Sequence, residues 1–144
     1  YHLTERSDRL TALREAWRAL KPGGPVFAAC ITHWASLLDA LLRRRLNDPE
    51  FLPIIRRDLA DGQHRNPTSR LDCFTTAFFH RPEELRAEAE QAGFEVDSLL
   101  AVEGPGILAS NYEDEFLREA LRAVEAEPSL LGLSPHLLLV GRPV

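Results

Sequence analysis

Residues 25–31 read Pro-Val-Phe-Ala-Ala-Cys-Ile, the longest apolar run in the chain. The run does not alternate polar with apolar, so as a strand it presents apolar side chains to both faces of a sheet. Strands of that kind belong to sheets covered on both sides by helices. The residues before it fit this arrangement. Leu10, Leu13, Trp17 and Leu20 recur at helical spacing and mark one apolar stripe. Thr4 or Ser7 is placed to cap that helix, and Asp8 suits its positive end. Lys21-Pro22-Gly23-Gly24 then stops it, because proline and paired glycines cannot continue a helix. A helix feeding a strand buried on both faces predicts a layered α/β domain.

The remaining pattern continues the alternation. Residues 35–46 predict a second helix, with Trp34, Leu37, Leu38, Leu41 and Leu42 on its buried face and Arg43-Arg44-Arg45 in its last turn. Pro49 and Pro53 bracket a shorter helix carrying Phe51, Ile54, Ile55 and Leu59, which Asp61-Gly62 ends. Residues 62–72 are polar and read as an irregular, mobile loop. Residues 74–79 predict a short strand, and Pro82 opens a helix that Gly93 closes. Residues 94–102 predict a strand with one partly open face, broken by Gly104-Pro105-Gly106. A helix over 113–126 turns Phe116, Leu117, Leu121 and Val124 inward, and 136–140 predict a last apolar strand with His136 capping or flanking it. Three or four strands make an incomplete sheet, and the first helix is expected to cross over from a strand that precedes it.

Composition narrows the function classes. The 144 residues carry 17 basic and 22 acidic side chains, a net charge of −5, so the chain lacks the basic field that nucleic acid rewards. That length predicts one domain over 1–144. No apolar run approaches the roughly 18 residues of a membrane span. Cys30 and Cys73 have no CxxC partner and five scattered histidines make no metal-ligand spacing, so no metal is expected and a reducing cytoplasm fits best. Cys30, in the apolar strand, is expected only to fill space. No GxSxG elbow occurs, and the three consecutive arginines point in different directions on a helix, as a solvated face. The chain contains no methionine and reads as part of a longer protein.

The passage Tyr1-His2-Leu3-Thr4, amphipathic helix, Leu20-Lys21-Pro22-Gly23-Gly24, apolar strand resembles the second half of a class I S-adenosylmethionine-dependent methyltransferase. The passages Phe79-His80-Arg81-Pro82-Glu83-Glu84-Leu85 and Ala92-Gly93-Phe94-Glu95-Val96 resemble the same family near its C-terminus. The resemblance spans nearly the whole chain and is weakest over 46–71. It implies the C-terminal half of a Rossmann-like methyltransferase sheet with flanking helices and a small helical cap, with 46–72 as a cap or insert region. It implies methyl transfer from S-adenosylmethionine to a small-molecule acceptor, with S-adenosylhomocysteine as product. The family's glycine-rich loop and its ribose-binding acidic residue are absent from these residues. Gly23-Gly24 precedes a strand, and Gly104-Pro105-Gly106 opens no immediate helix, so neither replaces that loop. The isolated chain is therefore expected not to bind the cofactor as the intact protein does. Without a competent cofactor loop the same fold also reads as a non-catalytic binding or scaffold module. Without a preceding strand, an apolar edge of strand 26–31 and a helix face are expected to be bare and to drive dimerisation, swapping or pairing with an N-terminal segment.

The resemblance also places candidate site residues at the carboxyl edge of the sheet, where open α/β sheets bind ligands. Tyr1 and His2 lie at the edge of the cofactor site, Tyr1 also beside the acceptor and His2 as a catalytic base. His33 and Trp34 face the acceptor, or else Thr32 caps the following helix and Trp34 packs. Phe78, Phe79 and His80 form an acceptor wall, or else a short strand's core face and a helix entry. His64 reads as an exposed loop residue without a role.

Overall fold

The computed structural model describes residues 2–68, 70–109 and 114–144. Its helices are α1 (Arg6–Ala19), α2 (Ala35–Leu42), α3 (Leu52–Asp61), α4 (Pro82–Gln91) and α5 (Glu115–Val124). Its strands are β1 (Val26–Thr32), β2 (Gln63–Arg65), β3 (Thr76–His80), β4 (Phe94–Ala101) and β5 (His136–Pro143). The fold is α/β, with one five-stranded mixed sheet in the order β2-β3-β1-β5-β4. β1 runs parallel to β3 and antiparallel to β5, with Val26 opposite Gly141 and Ile31 opposite His136. β2 and β4 are the antiparallel edges. No helix among the described residues is long and apolar enough to cross a membrane.

The main core lies on one face. Leu85 and Ala89 of α4 meet Cys30, Phe94, Leu137 and Leu139 from the strands, and Leu13 and Ala16 of α1 pack against them. Burial pushes the Cys30 thiol up to about 12, so it remains a neutral space-filling group. The α1 stripe is buried at Leu10, but Trp17 reaches the rim, where its indole covers Gly93. Neither Thr4 nor Ser7 caps α1; Glu5 holds the cap position through its backbone. Instead the Thr4 carbonyl accepts from Arg9 Nη1 at 2.7 Å.

The opposite face corrects the expectation for 26–31. Phe27 is 63% exposed and Ala29 is exposed as well. The cause is geometric: α1 and α4 both sit on the other side, and α2 starts only beyond the end of β1. β1 is also not the outer strand, since β3 joins it. That pairing reaches only Ile31 and Thr32. Among the described residues no strand pairs with Val26–Cys30 on that side.

Helix α2 stops at Leu42 rather than 46, and Arg44 takes a positive φ just beyond it. Leu41 and Leu42 are exposed, while Leu38 and Ala40 are buried. Arg43 pairs with Asp39 at 2.7 Å, and Arg45 covers the Phe51 ring, so only part of the triple-arginine run is freely solvated. Phe51, Ile54, Ile55, Ala40 and Cys73 form a second, smaller core between α2 and α3.

The expected loop over 62–72 is partly a strand. β2 pairs with β3, and Asn66 Nδ2 ties the following turn to the carbonyls of Arg70 and Cys73. Arg70 is clamped by Asp48 at 2.6 Å and Asp72 at 2.8 Å. Polar composition suggested freedom, but β3 and Asp48, from outside the segment, hold it together with its own internal hydrogen bonds. Gly104–Leu108 forms a 3-10 turn. Asp114 caps α5 by accepting from Phe116 N at 2.9 Å, yet Phe116 is 82% exposed and no α5 side chain is buried. Its apolar stripe faces the 3-10 turn and solvent instead of the sheet. His136 begins β5, and its Nδ1 meets Glu103 at 2.6 Å.

Candidate functional site

Strand β3 separates two polar clusters because its side chains alternate between faces. Phe78 and His80 point to the α1/α4 side. There Arg9 donates to both Glu88 oxygens, at 2.9 and 2.7 Å, and its guanidinium lies 3.7 Å from the Phe78 ring centre. His80 Nε2 approaches the same carboxylate at 3.3 Å. Burial pushes the Glu88 carboxyl up, but hydrogen bonds from His80 and Arg9 and the arginine charge outweigh it, holding it at about 2. This is an ion-paired knot joining α1, β3 and α4, with its charges mutually satisfied.

Ala77 and Phe79 point to the other face, beneath α2 and α3. A cleft of about 460 Å³ opens there, at the carboxyl ends of the parallel strands β1 and β3. Ile31, Leu42, Phe51, Phe74 and Phe79 give it an apolar lining, with Ser36, His64 and Asp39 among its polar groups. His64 is 1% exposed and stacks on Phe79, ring centres 4.6 Å apart and planes 11° apart. Its Nδ1 lies 2.8 Å from Asp58 Oδ2, the oxygen that also accepts from Ser36 Oγ. Asp58 is fully buried. Asp58 Oδ1 and His64 Nε2 have no hydrogen-bond partner among the described residues.

This arrangement can orient a histidine. A carboxylate only accepts, so Nδ1 is the donor to it, and in the tautomer with its hydrogen on Nδ1 the ring offers Nε2 as an acceptor. His64 was expected to be an exposed loop residue; pairing of β2 with β3 buries it instead. The signal that could have found this group is Asp58. It stands four residues after Ile54 and three after Ile55, on the buried stripe of α3, where an unpaired carboxylate is costly.

The residues expected at the site are divided by the fold. Phe79 lines the cleft. Phe78 and His80 belong to the Arg9–Glu88 knot on the other face. His33 is buried between Leu59 O, 3.1 Å from its Nε2, and Arg81 Nη2 at 3.0 Å. A single ring nitrogen can satisfy only one of these neighbours, since one needs a donor and the other an acceptor. Trp34 meets His33 edge-on and rests on Gly132, beside a separate hollow bordered by Pro82, Arg86 and Leu131. Thr32 does not cap α2; its hydroxyl donates to Ser134 O at 2.7 Å. His2 stacks on Phe74, ring centres 5.7 Å apart, and its Nδ1 lies 3.3 Å from Thr76 O. It touches a residue of the cleft but does not line it. Tyr1 lies outside the described residues.

No protein-family model matches this chain, and no curated protein matches it either.

Proposed function

We propose that this chain forms the acceptor side of a class I S-adenosylmethionine-dependent methyltransferase, with a small molecule seated in the cleft above β1 and β3. The observation that carries the reading is the position of that cleft. It opens at the carboxyl ends of two parallel strands, where open α/β sheets bind ligands. It does so in a chain whose α1–Leu20-Lys21-Pro22-Gly23-Gly24–β1 and Ala92-Gly93-Phe94 passages resemble that family. In this reading α2 and α3 cap the acceptor, the rings of Phe51, Phe74 and Phe79 exclude water, and His64 takes a polar group of the acceptor.

The residues here do not fit S-adenosylmethionine itself. Such a cofactor needs glycines between the carboxyl end of a strand and a helix, so that the backbone can approach it. Gly23, Gly62, Gly93 and Gly104 adopt positive φ. Gly23 precedes β1, Gly62 and Gly93 close α3 and α4, and Gly104 opens only a 3-10 turn. Glu103, the acidic residue after β4, is taken up by Ser134 and His136. The reading therefore assigns the cofactor to residues other than these. S-adenosylhomocysteine titrated calorimetrically into the intact protein is expected to bind, and the isolated chain is expected not to bind it. Absence of binding to the intact protein would remove the transferase reading in favour of a non-catalytic binding module.

We also propose that the free length of β1 pairs with a further strand. The unpaired stretch Val26–Cys30 and the exposed Phe27 support this, because bare apolar edges recruit other strands. Light scattering of the chain at micromolar concentration is expected to give a dimer or larger species, and Phe27→Lys a monomer. A monomeric wild type would reject the pairing. A cytoplasmic location is proposed on the two unpaired, buried cysteines.

A further inference from the structure

The groups lining the cleft differ in what they still have to offer a ligand. Its charged residues are already engaged: Asp39 with Arg43 at 2.7 Å, and Asp72 with Arg70 at 2.8 Å. A charged ligand would have to compete with those pairs. His64 and Phe79 are stacked, and Phe74 leans on His64 at 46° with 6.0 Å between centres, so ring faces and edges converge on one space. Among the described residues lining the cleft, His64 Nε2 is the buried polar side-chain atom left without a partner. Its opposite nitrogen is held by Asp58, which Ser36 holds in turn. A buried acceptor of this kind gains most from a neutral hydroxyl donor, since leaving it unmade is costly.

We propose that the cleft binds a neutral, flat aromatic molecule carrying a hydroxyl group, which donates its hydrogen to His64 Nε2. The ring lies among Phe51, Phe74 and Phe79, where offset and edge-on contacts are favourable. A space of about 460 Å³ falls within the usual range for small-molecule sites. His64 is the recognition residue. Asp58 and Ser36 are positioning residues that act through it. Such a hydroxyarene is the acceptor class of the proposed transferase. Its binding stands on the cleft alone, and only its methylation rests on the transferase reading.

The test compares 2-naphthol with 2-methoxynaphthalene, which has the same ring system and no donor, each titrated into the intact protein. The expected result is that 2-naphthol binds at least about tenfold more tightly, the preference of one well-made hydrogen bond. His64→Phe, which keeps a ring at that position, is expected to abolish the preference, so that the two compounds bind alike. Because that change also strips Asp58 of a partner, the wild type supplies a second readout. The imidazole nitrogen resonances of His64 in long-range ¹H–¹⁵N spectra are expected to move at Nε2 with 2-naphthol and to stay in place with 2-methoxynaphthalene. Equal affinities, a preference that survives His64→Phe, or an unmoved Nε2 resonance would each overturn the proposal. A naphthol preference without S-adenosylhomocysteine binding would keep the cleft assignment and remove the transferase reading. Cofactor binding without the preference would do the reverse.

Discussion

Arg9→Leu is expected to lower stability by about 3–5 kcal/mol, the usual cost of removing one partner from a buried ion pair. Arg9 and Glu88 are both buried and make two direct hydrogen bonds to each other. Without the guanidinium, Glu88 keeps only the longer contacts to His80 at 3.3 Å and to the half-exposed Arg6 at 3.5 Å, and the Phe78 ring loses its cover. Urea unfolding of the variant measures the loss. Arg9→Leu combined with Glu88→Leu is expected to recover much of it, because no uncompensated charge remains. Equal losses in the single and double variants would show that packing, not charge, holds α1 to α4. The same knot sets an acid limb. The Glu88 carboxyl is held at about 2 against an ordinary 4.5. A depressed carboxyl stabilises the fold fully above its unfolded value, and that contribution is lost as pH falls through the folded one. Wild-type stability is therefore expected to decline as pH drops from 4.5 towards 2, and the double variant is expected to show a shallower decline.

Gly62→Ala is expected to cost about 3 kcal/mol or more, lowering Tm by roughly 10 °C in a domain of this size. Gly62 has φ +70°, and a methyl group there would run into the Phe79 carbonyl oxygen. The position is a junction. Its N–H donates to Asp58 O at 3.0 Å and its carbonyl accepts from Phe79 N at 2.8 Å, so it closes α3 and starts β2 against β3. Gly23→Ala is the control. Gly23 has φ +73° with nothing within 4 Å of an added methyl, so only the left-handed backbone penalty applies, about 1 kcal/mol. Similar losses for the two variants would mean that the close approach to Phe79 is not what demands glycine. Because Gly62 sets the register that buries His64, its replacement is also expected to disturb the cleft.

The elements with strong periodicity were readable from the chain alone. The α1 stripe, the Lys21-Pro22-Gly23-Gly24 stop, the apolar β1, Pro82 at the start of α4 and Gly93 after it appear where spacing and turn chemistry put them. They are local properties, set by side-chain spacing and by which residues tolerate which backbone angles. The candidate site was much less readable. His64 sits in a polar stretch with no period, and only pairing of β2 with β3 turns it inward. Phe78, Phe79 and His80 read as one wall, whereas alternation along β3 sends Phe79 to the cleft and its neighbours to the opposite face. Pattern read Phe27 and Phe116 as buried, and both are exposed. Periodicity says which side chains share a face, not which face another element covers.

The sequence by itself determined an α/β chain, the order of its main helices and strands, and a net charge of −5. Only the tertiary structure decided that β3 joins β1 at its carboxyl end, that one face of β1 stays open, and that Ser36, Asp58 and His64 meet. Those three residues lie on different elements of the chain. Their meeting depends on burial and hydrogen-bond satisfaction across the fold, which no local spacing encodes.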